Sequence, residues 1–301
     1  MVEKTDIVIV GAGAAGLMAG IWSGRTNPNR KIIALDSARK LGAKILVSGG
    51  GRCNVTHDRV GAESYAGSSR NAIKKVLKRF DVPETIEFFR TLGIQLKREE
   101  TGKLFPVSDK ARTVLDALLR ASQEANVEIR ESSRVETIIK GETGFHIKGV
   151  FGEIHAATVI LATGGRSLPK TGSDGHGYEI VRSLGHQVTR RIFPALVPLT
   201  LPREHFICSL SGITVPTTLE LRSHNGKRLV SFTDSTLCTH FGLSGPSVLD
   251  FSRYYIEAKR WQAPYGLREP PQESPQFAWG GDLSLHIQWR AVYRHNRGKN
   301  T

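Results

Sequence analysis

The sequence is short of cysteine and of acid, and it has no long apolar run. Three cysteines, Cys53, Cys208 and Cys238, stand far apart among 301 residues. So sparse and odd a set builds no disulfide framework. No Cys-x-x-Cys pair occurs, which removes a zinc site or a dithiol centre of that kind. No stretch approaches the roughly 20 apolar residues of a membrane span. The first residues lack the basic and apolar regions of a secretion signal and run straight into a β-branched segment, so cytoplasmic residence is the expectation. Aspartate and glutamate number 28 against 42 lysines and arginines, a formal charge of +14. The surplus favours anionic partners such as nucleotide phosphates, nucleic acid or a membrane surface. The basic residues are spread along the chain and no nucleic-acid module accompanies them, which makes nucleic acid the minority reading.

What is present is an α/β pattern. With 39% hydrophobic residues the chain can bury a sizeable core in one or two domains. Residues 5–10 read as a buried parallel strand, Gly11–Gly16 as a turn, the segment to about Gly24 as a helix, and 31–35 as a second strand. Together they make a βαβ unit. A Gly-rich polar stretch occupies 42–57. Helices are expected over 69–80, from Asp81 to Gly93 and over 108–126, with Asp81 and Glu84 at capping-box spacing. Strands follow at 127–130, 134–140, 144–148 and 154–161, then a helix at 176–184. Beyond Arg191, prolines at 194, 198, 202 and 216 among short strand-like segments suggest a second, β-rich region. The texture changes again near Arg260, and 262–276 carries neither helical nor alternating periodicity.

The chemistry-bearing segments are four. In Gly11-Ala12-Gly13-Ala14-Ala15-Gly16, Gly11 permits the tight turn and Gly13 lets backbone approach a pyrophosphate. Gly16 lets the helix pack closely, and the helix N-terminus at Ala14 and Ala15 favours phosphate. The strand–turn–helix context makes this stronger than a bare Gly-x-Gly-x-x-Gly. Asp36, twenty residues after Gly16, can accept from ribose hydroxyls and would repel a 2′-phosphate, so FAD or NAD suits it better than NADP. It can also simply cap the next turn. In the 44–56 stretch, the backbone N–H groups of Gly49, Gly50 and Gly51, the Arg52 cation and the side chains of Ser48, Asn54 and Thr56 can hold a diphosphate or the polar edge of a flavin. Alternatively this is a loop with a structural Arg and a buried thiol. Thr163, Gly164 and Gly165 end an apolar strand where a cofactor or another backbone can come close, though taken alone they read first as an ordinary strand-ending turn. Val135, heading the 134–140 strand, joins the cofactor-binding candidates. His240, in Thr239–Pro246 at a turn before a helix, is the weak candidate for acid–base work; it and His176 are equally readable as structural.

These segments together resemble the bacterial NAD(P)/FAD-dependent oxidoreductase flavoproteins, the group that includes the bile-acid reductase BaiN and the aminoacetone-oxidase-like proteins. The resemblance is carried by IVIVGAGAAGLMAG (7–20), LGAKILVSGGGRCNVT (41–56), ATGGRSLPKTGSDGHGYEIVRSLGH (162–186), PALVPL (194–199) and THFGLSGPSVLD (239–250). It implies a three-layer Rossmann-like FAD-binding domain, a parallel sheet plus a β-meander, with a β-rich inserted domain. It also implies that Gly11, Gly13, Gly16, Asp36, Gly50–Asn54 and Gly164 lie near the flavin nucleotide. His57 departs from the family pattern, where Asn is common. The implied layout is an FAD domain over 1–190, the inserted domain over 191–258 and an atypical tail over 259–301. Family members return to the FAD domain through a Gly-rich closing segment that the tail does not resemble. The FAD domain is therefore expected to be incomplete, the tail to be a frameshift or a lineage-specific extension, and FAD retention to be weak or absent. The implied function is an FAD-dependent oxidoreductase of a small molecule, with NAD(P)H as a transient reductant. A non-catalytic nucleotide-binding fragment and an RNA-interacting flavoprotein are the alternatives. A simple NAD-dependent dehydrogenase has no need of the 44–56 loop.

Overall fold

A computed structural model describes residues 2–65, 69–189, 192–223, 225–261 and 283–289. The chain divides into two compact units, Met1–Val188 and Thr189–Thr301.

The first unit runs β1 (Glu3–Val10), α1 (Ala14–Thr26), β2 (Ile32–Leu35), α2 (Ala43–Val47), β3 (Thr56–His57), α3 (Arg70–Leu77), α4 (Val82–Thr91), β4 (Leu96–Arg98), β5 (Lys103–Pro106), α5 (Ala111–Glu124), β6 (Val127–Arg130), β7 (Val135–Lys140), β8 (Phe145–Gly149), β9 (Gly152–Leu161) and α6 (His176–Ser183). Its main sheet has the order β6-β2-β1-β9-β8-β7. The first four strands are parallel, and β9-β8-β7 continue as an antiparallel meander. This is the mixed sheet the motifs imply.

Alternation along β1 explains the layering. Ile7 and Ile9 join Leu17 and Ile21 of α1 and Leu115 and Leu118 of α5 in one core. Val8 and Val10 pack on the other face with Ile138, Ile147 and Ile154 of the meander and Ile180 of α6. Both faces of a parallel strand are thus buried, as its continuous apolar run requires. α4 carries the full capping box: Asp81 accepts from the Glu84 N–H while Glu84 accepts from the Asp81 N–H. A small antiparallel sheet, β3-β5-β4, was absent from the sequence-based expectation. The Gly-rich 42–57 stretch folds into α2 and a tight turn over 48–51 before reaching it.

The second unit contains β10 (Leu199–Thr200), α7 (Phe206–Ser209), β11 (Thr214–Ser223), β12 (Arg228–Thr239), β13 (Gly242–Ser244), α8 (Pro246–Trp261) and β14 (Leu283–Trp289). Its sheet, β10-β13-β12-β11-β14, is antiparallel throughout. The strands are not all short as expected, since β11 and β12 span 10 and 12 residues. Pro216 lies within β11, opposite Ser235 of β12. The core gathers Leu219, Leu221, Cys238 and Leu243 under Val248 and Phe251 of α8. Of the tail, β14 is a strand of this sheet, whereas the aperiodic 262–276 stretch lies outside the described residues.

Candidate functional site

The connections from β1 lead one way, to β2 and then β6, while β9 lies on its other side. Crevices form at the carboxyl ends of strands where the order reverses in this way. A cavity of about 640 Å³ opens there, with the strand ends Val10, Leu35 and Leu161 in its wall. Its volume is in the range of nucleotide-sized ligands.

The glycines of the first turn divide into two kinds. Gly11 adopts φ +101°, and a Cβ there would stand 2.6 Å from the Ala162 carbonyl oxygen. At Gly16 a Cβ would stand 1.8 Å from the Gly11 oxygen, so this glycine closes the helix onto the turn. Gly13 is different: no atom lies within 4 Å of its would-be Cβ, and it lines the cavity. α1 begins at this residue with no side-chain cap and no acid in its first turn. Its N-terminal partial positive charge is therefore left for a ligand.

Asp36 lines the cavity, but its carboxylate also serves the turn. Oδ2 accepts from the Ala12 N–H at 2.7 Å and Oδ1 from the Ala38 N–H at 2.8 Å. The capping and ribose roles are compatible, since each oxygen keeps a second lone pair.

Gly11, Gly13, Ala14, Ala15, Asp36, Cys53, Asn54, Val135, Thr163 and Gly164 all meet at this cavity. Gly16, Gly50, Gly51, Arg52 and Gly165 are not in its lining. Arg52 points elsewhere: its Nη1 lies 2.5 Å from Glu99 and 3.7 Å from Asp109, and its guanidinium sits 4.0 Å from the Phe105 ring centre. That leaves Cys53 without a cation to activate it. The thiol is buried at φ +63°, and burial pushes its pKa up, only partly offset by a hydrogen bond with Ser48. It stands in the cavity wall as a buried side chain. His240 belongs to the second unit, edge-on to Phe241 at 4.9 Å between centroids, and is not in the cavity lining.

Several polar lining residues were not singled out as site candidates from the sequence. Lys44 donates to the Ser173 hydroxyl, 129 residues away, and among the described residues it has no acidic partner. Arg134 pairs with Asp174 at 2.8 Å. The His176 backbone N–H, and then Arg134, hold the Asp174 carboxyl below its usual range. His176 also lines the cavity, with Nε2 on the Glu136 carbonyl at 2.9 Å and Nδ1 on Glu179 at 3.0 Å. Both ring nitrogens are occupied, which favours its structural role. Lys44, Ser173, Asp174 and His176 fall within the 44–56 and 162–186 stretches, whereas Arg134 lies outside both.

The chain is 34% identical over 249 residues to the 3-dehydro-bile acid delta(4,6)-reductase of Clostridium scindens, covering 82% of this chain and 60% of that protein. It is 35% identical over 257 residues to the ribosomal RNA dihydrouridine synthase of Escherichia coli, covering 84% of this chain and 62% of that one. The chain thus spans about three fifths of the length of the curated relatives it matches. Among solved structures, the open conformation of a flavocytochrome c3 fumarate reductase aligns with a TM-score of 0.44 at 19% identity, covering 71% of this chain and 47% of that one. Residues 5–281 match the family described as HI0933-like protein Rossmann domain. The chain belongs to that HI0933-like Rossmann-domain family, as the resemblance in its motifs implies.

Proposed function

We propose that the chain carries the FAD-binding part of a flavin-dependent oxidoreductase that reduces a carbon–carbon double bond next to a carbonyl. The observation that carries this reading is the cavity at the strand-order switch, with Gly13 open to it and the uncapped start of α1 beside it. A diphosphate fits that chemistry: bare backbone, an uncompensated helix N-terminus and no side chain in the way. Asp36 accepts from ribose hydroxyls. Lys44 adds a cation not neutralised by an acid among the described residues. Bound FAD supplies hydride transfer. The chain's own residues bind and orient it, and NAD(P)H is the class of donor that would reduce it transiently, since only one Gly-x-Gly-x-x-Gly is present.

The reaction class is supported by the relatives. One is named a delta(4,6)-reductase of a 3-dehydro bile acid, the others dihydrouridine synthases of ribosomal RNA. Each name describes saturation of a double bond conjugated to a carbonyl. The small-molecule reading follows the first relative. A second reading, RNA as the substrate, is favoured by the other two and by the +14 charge.

The test is a titration of FAD into the purified protein, followed by flavin fluorescence, with NADP⁺ as competitor. A saturable change that NADP⁺ does not reverse is expected, because Asp36 repels a 2′-phosphate. A flat titration would overturn the reading. Binding without turnover of either substrate class would leave a nucleotide-binding fragment.

A further inference from the structure

One local concentration of charge departs from the even spread expected of the sequence. Between Arg70 and Arg79, five of ten residues are basic (Arg70, Lys74, Lys75, Lys78 and Arg79) and none is acidic. The average of 42 in 301 would place one or two there. All five are exposed, and among the described residues none of them forms an ion pair. Several other arginines of this unit differ: Arg52, Arg90, Arg98, Arg130 and Arg134 have carboxylate partners. An ordinary solvated helix carries its own counter-charges, as the neighbouring α4 does with Glu87 and Arg90 at 2.6 Å.

This helix, α3, is held by its other face. Ser69 caps it, accepting from the Ala72 N–H, and Ile73 and Leu77 are half-buried. Phe80, just past its end, stands edge-on to Trp22 of α1 at 6.2 Å and to Phe88 of α4 at 6.1 Å. Trp22 remains 44% exposed, and the Arg25 guanidinium lies 5.9 Å from its ring centre. Phe80, next in sequence to Lys78 and Arg79, thus brings the end of α3 against Trp22, which stacks on Phe88 at 6.1 Å and carries the Arg25 cation. Phe88 in turn packs edge-on against Phe89, which lines the cavity. This corner therefore reaches the candidate site through two aromatic rings.

We propose that α3 together with the Trp22–Arg25 corner of α1 is an RNA-docking face. The inference rests on the second reading above, in which the substrate is RNA, and names where that RNA is held. Unpaired lysines and arginines neutralise phosphates and release counterions. The exposed indole offers a stacking platform for an unpaired base.

The experiment measures binding of fluorescently labelled fragments of deproteinised ribosomal RNA to the full chain across a salt series. The variant combines Lys74→Gln, Lys75→Gln, Lys78→Gln and Arg79→Gln. A control of equal charge change combines Lys4→Gln, Lys140→Gln, Arg203→Gln and Lys227→Gln, all exposed. Melting temperature checks that both remain folded. The α3 variant should lose at least about tenfold in affinity, with its salt slope shallower by about 3, while the control stays near wild type. Equal losses in the two variants would overturn the docking face and leave only diffuse charge attraction. Full RNA affinity in the α3 variant with loss of binding to phosphatidylglycerol vesicles would overturn it in favour of a membrane-facing helix. Failure of the unaltered protein to bind RNA at low salt would overturn the RNA reading itself, and the docking face with it.

Discussion

The two glycine-rich loops of the first unit read alike in sequence and are used differently. Gly11–Gly16 bends around the end of β1 and presents Gly13 to the cavity. In the Ser48–Gly51 turn, Gly49, Gly50 and Gly51 have φ of +55°, +69° and +86°, and all three are exposed and absent from the cavity lining. Only the flanks of the second loop, Ser48 on one side and Cys53 to Val55 on the other, reach the wall. Gly13 stands open to the cavity in one loop, while the glycines of the other reverse the chain. What tells them apart is the cavity wall: Gly50, like Gly13, has no atom within 4 Å of its would-be Cβ, yet it lies outside the lining.

Within the first loop the space around each missing Cβ separates packing from binding, and substitution can break that separation. Gly16→Ala should have the largest effect. Its methyl would meet the Gly11 carbonyl at 1.8 Å, and that backbone is fixed between β1 and α1. A loss of roughly 3 kcal/mol is expected, which for a unit of this size lowers the melting temperature by about 6–12 °C. An unchanged melting curve would mean that the turn and helix are less tightly joined than the distance implies. Gly13→Ala should do the reverse. With open space around the new methyl, stability should change by less than about 0.5 kcal/mol. FAD affinity should fall by at least about tenfold, because the methyl takes the space reserved for the pyrophosphate. A Gly13→Ala protein that binds FAD as well as the parent would place the phosphates elsewhere.

The contrast also marks what the sequence made legible. The β1-α1-β2 unit, α4 with its Asp81–Glu84 box and the meander β7-β8-β9 are local: each is spelled by a short stretch of periodic apolar residues and a turn signal. The sheet β3-β5-β4 was invisible because its strands are 2 to 4 residues long, too short to show alternation. On the candidate site, the glycines and Asp36 announced themselves by spacing. Lys44 and Arg134 did not, because their partners Ser173 and Asp174 lie 129 and 40 residues away and only the fold brings them together. Arg52 shows the same limit in another form. Its neighbours in sequence suggested an anion, whereas its neighbours in space are Glu99, Asp109 and Phe105.

The smallest expected effect therefore falls on Arg52 and sharpens the comparison most. In the resemblance this residue lies at the flavin nucleotide; in the structure its guanidinium ties the second loop to the segment around β4 and β5. Arg52→Gln should lower the melting temperature slightly, since the pair with Glu99 is partly exposed and well solvated. FAD affinity should stay within about twofold of the parent. Glu99→Gln should produce a similar small loss of stability. The double substitution should be no worse than either single one, because both remove the same contact. If Arg52 instead turns to the ligand, its loss alone would weaken FAD binding strongly while Glu99→Gln would not. Carboxylate competition would then be absent in Glu99→Gln, and that protein should bind FAD more tightly than the parent. The signs of the two FAD effects, rather than their sizes, decide whether the second loop holds the cofactor or only supports the wall that does.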